Sequence, residues 1–434
     1  MLSNIVRHFI DNERDAHDGI IVALSGGADS VALLLCLKEN AEKVCAAHCN
    51  FHLRGEESDR DERFCRDLCQ RLGVPIHVCH FNTLEEAEKR GVSVEMAARD
   101  LRYEWFARLC NELNYGIVAL AHHRDDNVET LLQHIARGCG IHGLTGMPQR
   151  RDCFVRPLLN VSRREILEYL EQKGQDFVND STNADTTYQR NLVRHELLPL
   201  LERLNPNIRQ TLAEMMEKMR ESLLLYEESV EAWRTKLTCL TADGLGIRLD
   251  ELRRMDTAKT LLHEFLLPFG FTQQDEENML QARTGAVFCS EDYMATVAGD
   301  ILVCDKKPVN VPSTVLVEEG DTLLPDDTSI SLHTSTDVSI ERGNPLRITI
   351  DKDKICGKLC CRTIEQGDRF HPFGMKGTKL VSDFLTERHI HRIARMKTKV
   401  VTDDCGIIWL VGHRIDQRVA VTPNTLHVSV LEIR

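Results

Sequence analysis

The feature that most constrains the fold is a short, unbroken apolar run at residues 19–24, with similar runs at 44–48, 74–79 and 117–121. An uninterrupted run of roughly four to eight apolar residues suits a strand covered on both faces, as in a parallel sheet. Between the runs, Phe64, Leu68 and Leu72, and likewise Leu101, Trp105 and Leu109, recur at helical spacing. Strand-like runs alternating with helical stretches predict an α/β fold with a doubly wound parallel sheet. In such a sheet, ligands bind beyond the carboxyl ends of the strands, so chemistry is expected in the residues just after each run.

The chain has 434 residues, and roughly 100 to 200 residues per domain predicts two to four domains. Residues 1–215 read as the catalytic domain, 216–310 as a helical linker with a small central domain, and 311–434 as a β-rich C-terminal domain. The linker is an apolar stripe through Ile208, Leu212, Met215, Met219 and Leu223, after the breaks at Pro199 and Pro206. Residues 240–306 read as mainly helical, ending in a strand-like run at 301–304. Beyond Pro308 and Pro312, segments 314–318, 329–333 and 347–350 alternate in the strand manner.

No stretch reaches the roughly 18 to 20 apolar residues of a membrane span. Residues 1–18 interleave charges with apolar residues, unlike the core of a secretory signal, so a cytoplasmic location and no membrane partner are expected. The 16 cysteines are scattered along a long chain, which predicts reduced thiols rather than a disulfide framework. Cys45 and Cys49, like Cys65 and Cys69, have the spacing of one helical turn or of coincidence. No pair has the spacing of a zinc knuckle, so no structural metal is expected.

After the first run come Ser25, Gly26, Gly27, Ala28, Asp29 and Ser30, then an apolar helical stretch. Two glycines permit a tight turn whose N–H groups face one anion, and the following helix adds its positive end. That is a phosphate cradle, without the glycine-lysine-serine/threonine ending of the common P-loop. A Ser-Gly turn leading to an Asp cap is the plainer alternative. After the fourth run come His122, His123, Asp125, Asp126, Glu129 and Thr130. Asp126 and Thr130 share a helix face, and Asp125 starts the helix, where carboxylates also serve as caps. Adjacent histidines diverge, so a zinc site is disfavoured relative to carboxylates that hold a magnesium ion bridging phosphates. Residues 138–143 match the G-x-G-x-x-G string, but they follow a helix and not a strand, so they read as a backbone segment able to approach a substrate, with Arg137 supplying charge.

The formal charge is −13, and such a field repels phosphate, so any nucleic-acid contact needs a local basic surface. Between Arg362 and Val400 basic side chains outnumber acidic ones nine to four. On its own this reads as a solvated helical face.

Taken in order, SGGADS at 25–30, HCNFHLRGEESDRDE at 48–62, EMAARDLRY at 95–103, AHHRDDNVETLL at 121–132, RGCGIHGLTGM at 137–147, RPLL at 156–159, DSTN at 180–183 and RNLVRHELLPLL at 190–201 resemble the tRNA(Ile)-lysidine synthetases. These belong to the N-type ATP pyrophosphatase (PP-loop) superfamily, which the first motif alone marks. GDRFHPFGM, SDFL and GHRIDQR near the C-terminus extend the resemblance over most of the chain, while residues 220–340 add little.

The resemblance implies a ligase forming a C–N bond. ATP adenylates the C2 oxygen of the wobble cytidine in a tRNA(Ile) with a CAU anticodon, and the ε-amine of free L-lysine then displaces AMP to give lysidine. It implies ATP and Mg2+ as cofactors, with His48 beside the 25–30 loop at the nucleotide and Asp29 associated with the metal. Asp29, His122, Asp125, Asp126 and Arg137 are then the catalytic candidates. Asp125, Asp126, Glu129 and His122 are unranked as the base for lysine. Arg99, Arg102 and Tyr103 would meet the splayed base, although Tyr103 is equally a core aromatic with a hydrogen-bonded tip. Glu129, Thr130, Arg190, Asn191 and Arg194 would face lysine or RNA, and Arg369, Arg388 and Arg392 of the basic segment would grip tRNA phosphates. Trp409 is left to the core, and homodimer formation is left open. Two rivals remain: a tRNA thiolase, for which Cys139 is the relevant thiol, and a catalytically silent nucleotide and RNA binding module.

Overall fold

A computed structural model describes residues 2–13, 19–178, 189–241, 243–307, 314–336, 338 and 344–434, the side chains of Gln189 and Arg190 excepted. The motif at 180–183, Pro308 and Pro312 lie outside the described residues, as does the Arg190 side chain. The chain divides into two compact units, Met1–Glu227 and Glu228–Arg434.

The first unit runs α1 (Leu2–Glu13), β1 (Ile20–Ala23), α2 (Ala28–Asn40), β2 (Val44–Asn50), α3 (Glu56–Leu72), β3 (Ile76–His80), α4 (Thr83–Arg90), α5 (Val94–Glu112) and β4 (Ile117–Ala119). It continues with α6 (Arg124–Arg137), α7 (Ile141–Leu144), β5 (Arg150–Arg151), β6 (Phe154–Val155), α8 (Arg163–Lys173), α9 (Gln189–Leu192), α10 (Leu198–Leu204) and α11 (Ile208–Leu237), which runs on past the unit's end. The sheet order is β3-β2-β1-β4-β6-β5, parallel except for the short β5.

Period two along β1 divides its side chains between two cores. Ile20 and Val22 pack with α2 and α8 residues such as Leu33, Leu34, Leu37 and Ile166. Ile21 points the other way, into a cluster with Trp105, Phe106 and Leu109 of α5. Full burial of each such side chain stabilises by about 1.5–3 kcal/mol, so β1 is held from both faces, as its unbroken apolar run predicts. Cys45 and Cys49 lie on β2, so their spacing reflects one strand face rather than a helical turn, whereas Cys65 and Cys69 do share a turn of α3. Burial pushes the Cys45 and Cys49 thiols up to about 12, which makes them inert packing groups.

In the second unit, the stretch expected to be mainly helical holds β7 (Thr238–Thr241), β8 (Gly244–Arg248), α12 (Leu249–Leu252), α13 (Ala258–Leu266), α14 (Gln273–Gln281), β9 (Val287–Cys289), β10 (Tyr293–Ala298) and β11 (Ile301–Lys306). Its five strands form one antiparallel sheet, in the order β7-β8-β11-β10-β9. Most are only three to six residues long, too short for a period of two to stand out. The rest is β-rich as expected. A five-stranded sheet centred on Lys399–Asp403 and a four-stranded sheet centred on Val428–Ile433 share a core in which Trp409 is fully buried. Among the described residues, no helix is long and apolar enough to cross a membrane.

Candidate active site

In the sheet order β2, β1, β4 and β6 are neighbours, so the residues after their carboxyl ends meet at one edge. After β1 the chain turns through Gly26 at φ 88°, and Gly27 caps α2 with no side-chain hydrogen bond. The first N–H groups of α2 are therefore left for an anion. Ser25 and Ser30 stiffen the turn: their hydroxyls lie 3.1 Å apart, and Ser30 Oγ donates to Gly27 O at 3.0 Å. His48, at the end of β2, is buried and donates from Nδ1 to Leu24 O at 2.8 Å, holding the strand just before the loop. Burial pushes its pKa down, which keeps the ring neutral.

Asp29, on the first turn of α2, receives Arg163 Nη1 on both carboxylate oxygens, at 3.1 and 2.8 Å. Arg163 is the first residue of α8, whose N-cap Ser162 closes a capping box with Glu165. The helix after β4 begins with another such box, in which His123 is the cap and Asp126 the reciprocating carboxylate. Asp125, expected to cap its own helix, instead accepts the backbone N–H of Arg163 at 2.8 Å and Arg209 Nη1 at 3.1 Å. Glu129 is 1% exposed and receives Arg194 in bidentate fashion, at 2.6 and 3.1 Å. Arg194 lies in a π-helical turn, Val193–Leu197, the kind of irregular turn that re-aims side chains at functional sites.

These groups line a cleft of about 590 Å³ that includes His123, Asp125, Glu129, Arg163, Arg194 and Arg209. Acid and base alternate around it, so the arginines hold Asp125 and Glu129 in place. The structure thus brings together Ser25, Gly26, Gly27, Ala28, Asp29, Ser30 and His48 at the loop, and Asp125, Asp126, Glu129 and Arg194 at the cleft. His122, after β4, accepts Arg156 Nε at Nδ1, 3.2 Å away.

Other expected site residues are turned to structural contacts. Thr130 Oγ1 donates to Asp126 O inside its own helix. Tyr103 packs edge-on against Phe154 at 4.7 Å, with the Arg99 guanidinium 5.3 Å from its ring centre, in the manner of the core alternative. Arg102 lies over the Phe51 ring at 5.2 Å. Arg137 ends α6 on the surface, and Asn191 is half-buried on α9. Cys139 is half-buried. Arg369, Arg388 and Arg392 belong to the second unit, where Arg388 lies 4.5 Å above the Phe384 ring.

Sequence reasoning missed His123, Arg156, Arg163 and Arg209. Ser162 and Glu165 carry a readable capping signature that would have placed Arg163 at a helix start, and Arg156 directly follows β6, where the strand-end rule applies. Arg209 carries no comparable local signal.

An Mg2+ ion fits the donor chemistry at Asp29, a hard oxygen ligand beside an anion cradle. Such an ion needs only one or two carboxylates when phosphates complete its shell. Among the described residues, no group of three or more ligating side chains forms a cage that would bind it without nucleotide.

Residues 2–201 match the PP-loop domain family, 241–307 the TilS substrate binding domain and 359–432 the TilS substrate C-terminal domain. The chain is 39% identical over 419 residues to tRNA(Ile)-lysidine synthase of Bacteroides thetaiotaomicron, spanning 96% of this chain and 95% of that protein. The chain belongs to the tRNA(Ile)-lysidine synthase family. A second relative of that name, from Porphyromonas gingivalis, is 38% identical over 97% of this chain and 96% of its own. A solved U34-tRNA thiolase from Methanococcus maripaludis covers 51% of this chain and 78% of its own at a TM-score of 0.43 and 18% identity, a likeness that decides nothing about chemistry.

Proposed function

We propose that this chain carries out ATP-dependent lysidine formation on tRNA(Ile), joining the ε-amine of free lysine to C2 of the wobble cytidine in a CAU anticodon through an adenylated base. The observation that carries the reading is the open first turn of α2, where among the described residues no side chain accepts from the amides of Ala28, Asp29 or Ser30, inside a chain of this family. Attack of the cytidine oxygen on the α-phosphorus drives out pyrophosphate. The loop N–H groups and the positive end of α2 hold that developing charge. Asp29 would hold Mg2+, exchanging part of its contact with Arg163. The ion, when bound, neutralises charge on the phosphates.

Lysine must attack as a neutral amine, so one of the cleft carboxylates takes its proton. Asp125, Asp126 and Glu129 are the acids within reach, each oriented by an arginine. The cleft's mixture of carboxylates and guanidinium groups suits a zwitterionic amino acid. The proposed location of the reaction is the cytoplasm.

Incubation with ATP, labelled lysine and transcripts bearing CAU or a control anticodon tests the proposal. Label retained only on the CAU transcript is expected. Incorporation of sulfur instead, or the absence of pyrophosphate release with every substrate present, would reassign the chain to a thiolase or to a silent binding module.

A further inference from the structure

The cysteines expected to be plain reduced thiols include a pair that meets in the second unit. Cys356 precedes the strand Leu359–Thr363, and Cys405 lies in the turn between the paired strands Lys399–Asp403 and Gly406–Leu410. One carboxylate ties the two places together: Asp403 Oδ2 accepts the Cys356 N–H and Asp403 Oδ1 the Cys405 N–H, each at 2.9 Å. Their chain neighbours are pressed together as well. Asp404 N donates to Cys356 O at 2.9 Å, and a side chain at Gly357, where φ is 73°, would collide with the Asp404 carboxylate. With both backbones fixed in this way, the Cys405 thiol interacts with the Cys356 sulfur.

The pair also has access and polarity. Cys405 is exposed and Cys356 half-buried, whereas thiols such as Cys45, Cys65 and Cys361 are buried. Arg418, bidentate to Asp403, brings its Nη1 to 3.8 Å from Cys356 Sγ, where a guanidinium steadies negative charge forming on the sulfur. Cys405 is placed differently: its contact with Cys356 pushes its pKa up, and the Asp403 carboxylate adds to that. A thiolate, not a thiol, attacks a disulfide, so the two sulfurs suit successive steps.

We propose that Cys356 and Cys405 form a modification site for small-molecule disulfides, in which Cys356 attacks and Cys405 resolves. The Cys356 thiolate attacks one sulfur of a disulfide RSSR, giving Cys356–S–S–R, and the departing RS⁻ takes up the proton that Cys356 lost. Capping Cys356 removes the partner that keeps Cys405 protonated. Cys405 then loses its proton and attacks the Cys356 sulfur; the bond to SR breaks, and a second RSH leaves. The two protein thiols have given up two electrons and two protons, and RSSR has become two thiols. The product joins the turn at Cys405 covalently to the segment before Leu359.

Oxidised glutathione, added to the full chain, is the probe, with the reaction stopped by acid and the remaining thiols alkylated. Peptide mapping should find Cys356 joined to Cys405, with the loss of two hydrogens, and dithiothreitol should reverse the link. Cys289, the other exposed cysteine, serves as the internal reference and should collect glutathione as a mixed disulfide. Cys405→Ser should trap glutathione on Cys356, and Cys356→Ser should leave Cys405 reacting at about the Cys289 rate. Glutathione accumulating on Cys356 or Cys405 of the parent chain without a linked peptide would overturn the proposal. Modification of Cys405 in Cys356→Ser faster than the parent chain closes would overturn the order of attack. Should either serine variant fail to fold, the peptide map of the parent chain still decides. The measurement needs neither ATP nor tRNA, so it stands or falls apart from the function proposed above.

Discussion

Asp403 shows how one side chain can hold a whole corner of the second unit. Its side chain has no exposed surface, and it accepts the N–H groups of Cys356 and Cys405, each at 2.9 Å, and both terminal nitrogens of Arg418, again at 2.9 Å. Burial alone would raise its pKa, but the Arg418 hydrogen bonds and the two amides outweigh it and leave the carboxyl below its ordinary range. A folded pKa below the unfolded one contributes stability that is fully present above the unfolded value, about 3.9, and is lost as pH falls through the folded value. Asp403→Asn should therefore lower the unfolding temperature at neutral pH and flatten its dependence on pH below about 4; an unchanged acid limb in thermal melts would refute this. Glu129 is another buried carboxylate held by an arginine. Arg194→Ala removes its bidentate cation and should cost about 3–5 kcal/mol in denaturant unfolding of the first unit, with Glu129→Gln in the same chain recovering part of the loss.

At the scale of elements, the proposed phosphate cradle depends on a turn that only glycine makes cheaply. Gly26 sits at φ 88°, and a Cβ there would meet Cys65 Sγ at 3.3 Å and Phe64 at 3.5 Å. Gly26→Ala should cost about 1–2 kcal/mol of backbone strain. It should also weaken ATP binding more than tRNA binding, measured by titration calorimetry with each ligand; equal weakening of both would mean the turn is not the phosphate cradle. This element was readable because its determinants are local: an apolar run, two glycines and a helix start fall within a dozen residues. β1 and β4 were readable for the same reason, since burial leaves each as a solid apolar block, whereas β3, at the sheet edge, is only half-buried and carries His77 and His80. The central sheet was not. Strands such as Val287–Cys289 carry too few residues to show a period, and their partners come from across the second unit rather than from the next turn. The cleft was half-readable. Asp125, Asp126 and Glu129 announce themselves by clustering, but Arg163 and Arg209 reach Asp125 from helices 38 and 84 residues away, a pairing that only the tertiary fold creates.

For the whole molecule, a formal charge of −13 means that RNA is repelled at long range and held only where cations are uncommitted. The basic segment of the second unit is less available than its composition suggests. Arg362 is bidentate to Asp368, Lys379 pairs with Glu387, Lys397 with Asp305 and Lys399 with Asp326, and Arg395 donates to Ile390 O. Those cations hold the unit together. Arg369, Lys376, Arg388 and Arg392 have no ion-pair partner among the described residues, so they are the ones proposed to meet tRNA phosphates. Reversing Arg388 and Arg392 to glutamate should weaken tRNA binding uniformly across sequences and lower the slope of log affinity against log salt by about one per lost phosphate contact. ATP binding should be untouched. Reversing Arg362 should do the opposite: it places a glutamate against the half-buried Asp368, which should lower thermal stability first and affect RNA only through unfolding. Filter binding over a salt series, paired with melts of the same variants, separates the two classes. A salt slope that stays at the parent value in the Arg388/Arg392 variant would take those residues out of the RNA interface.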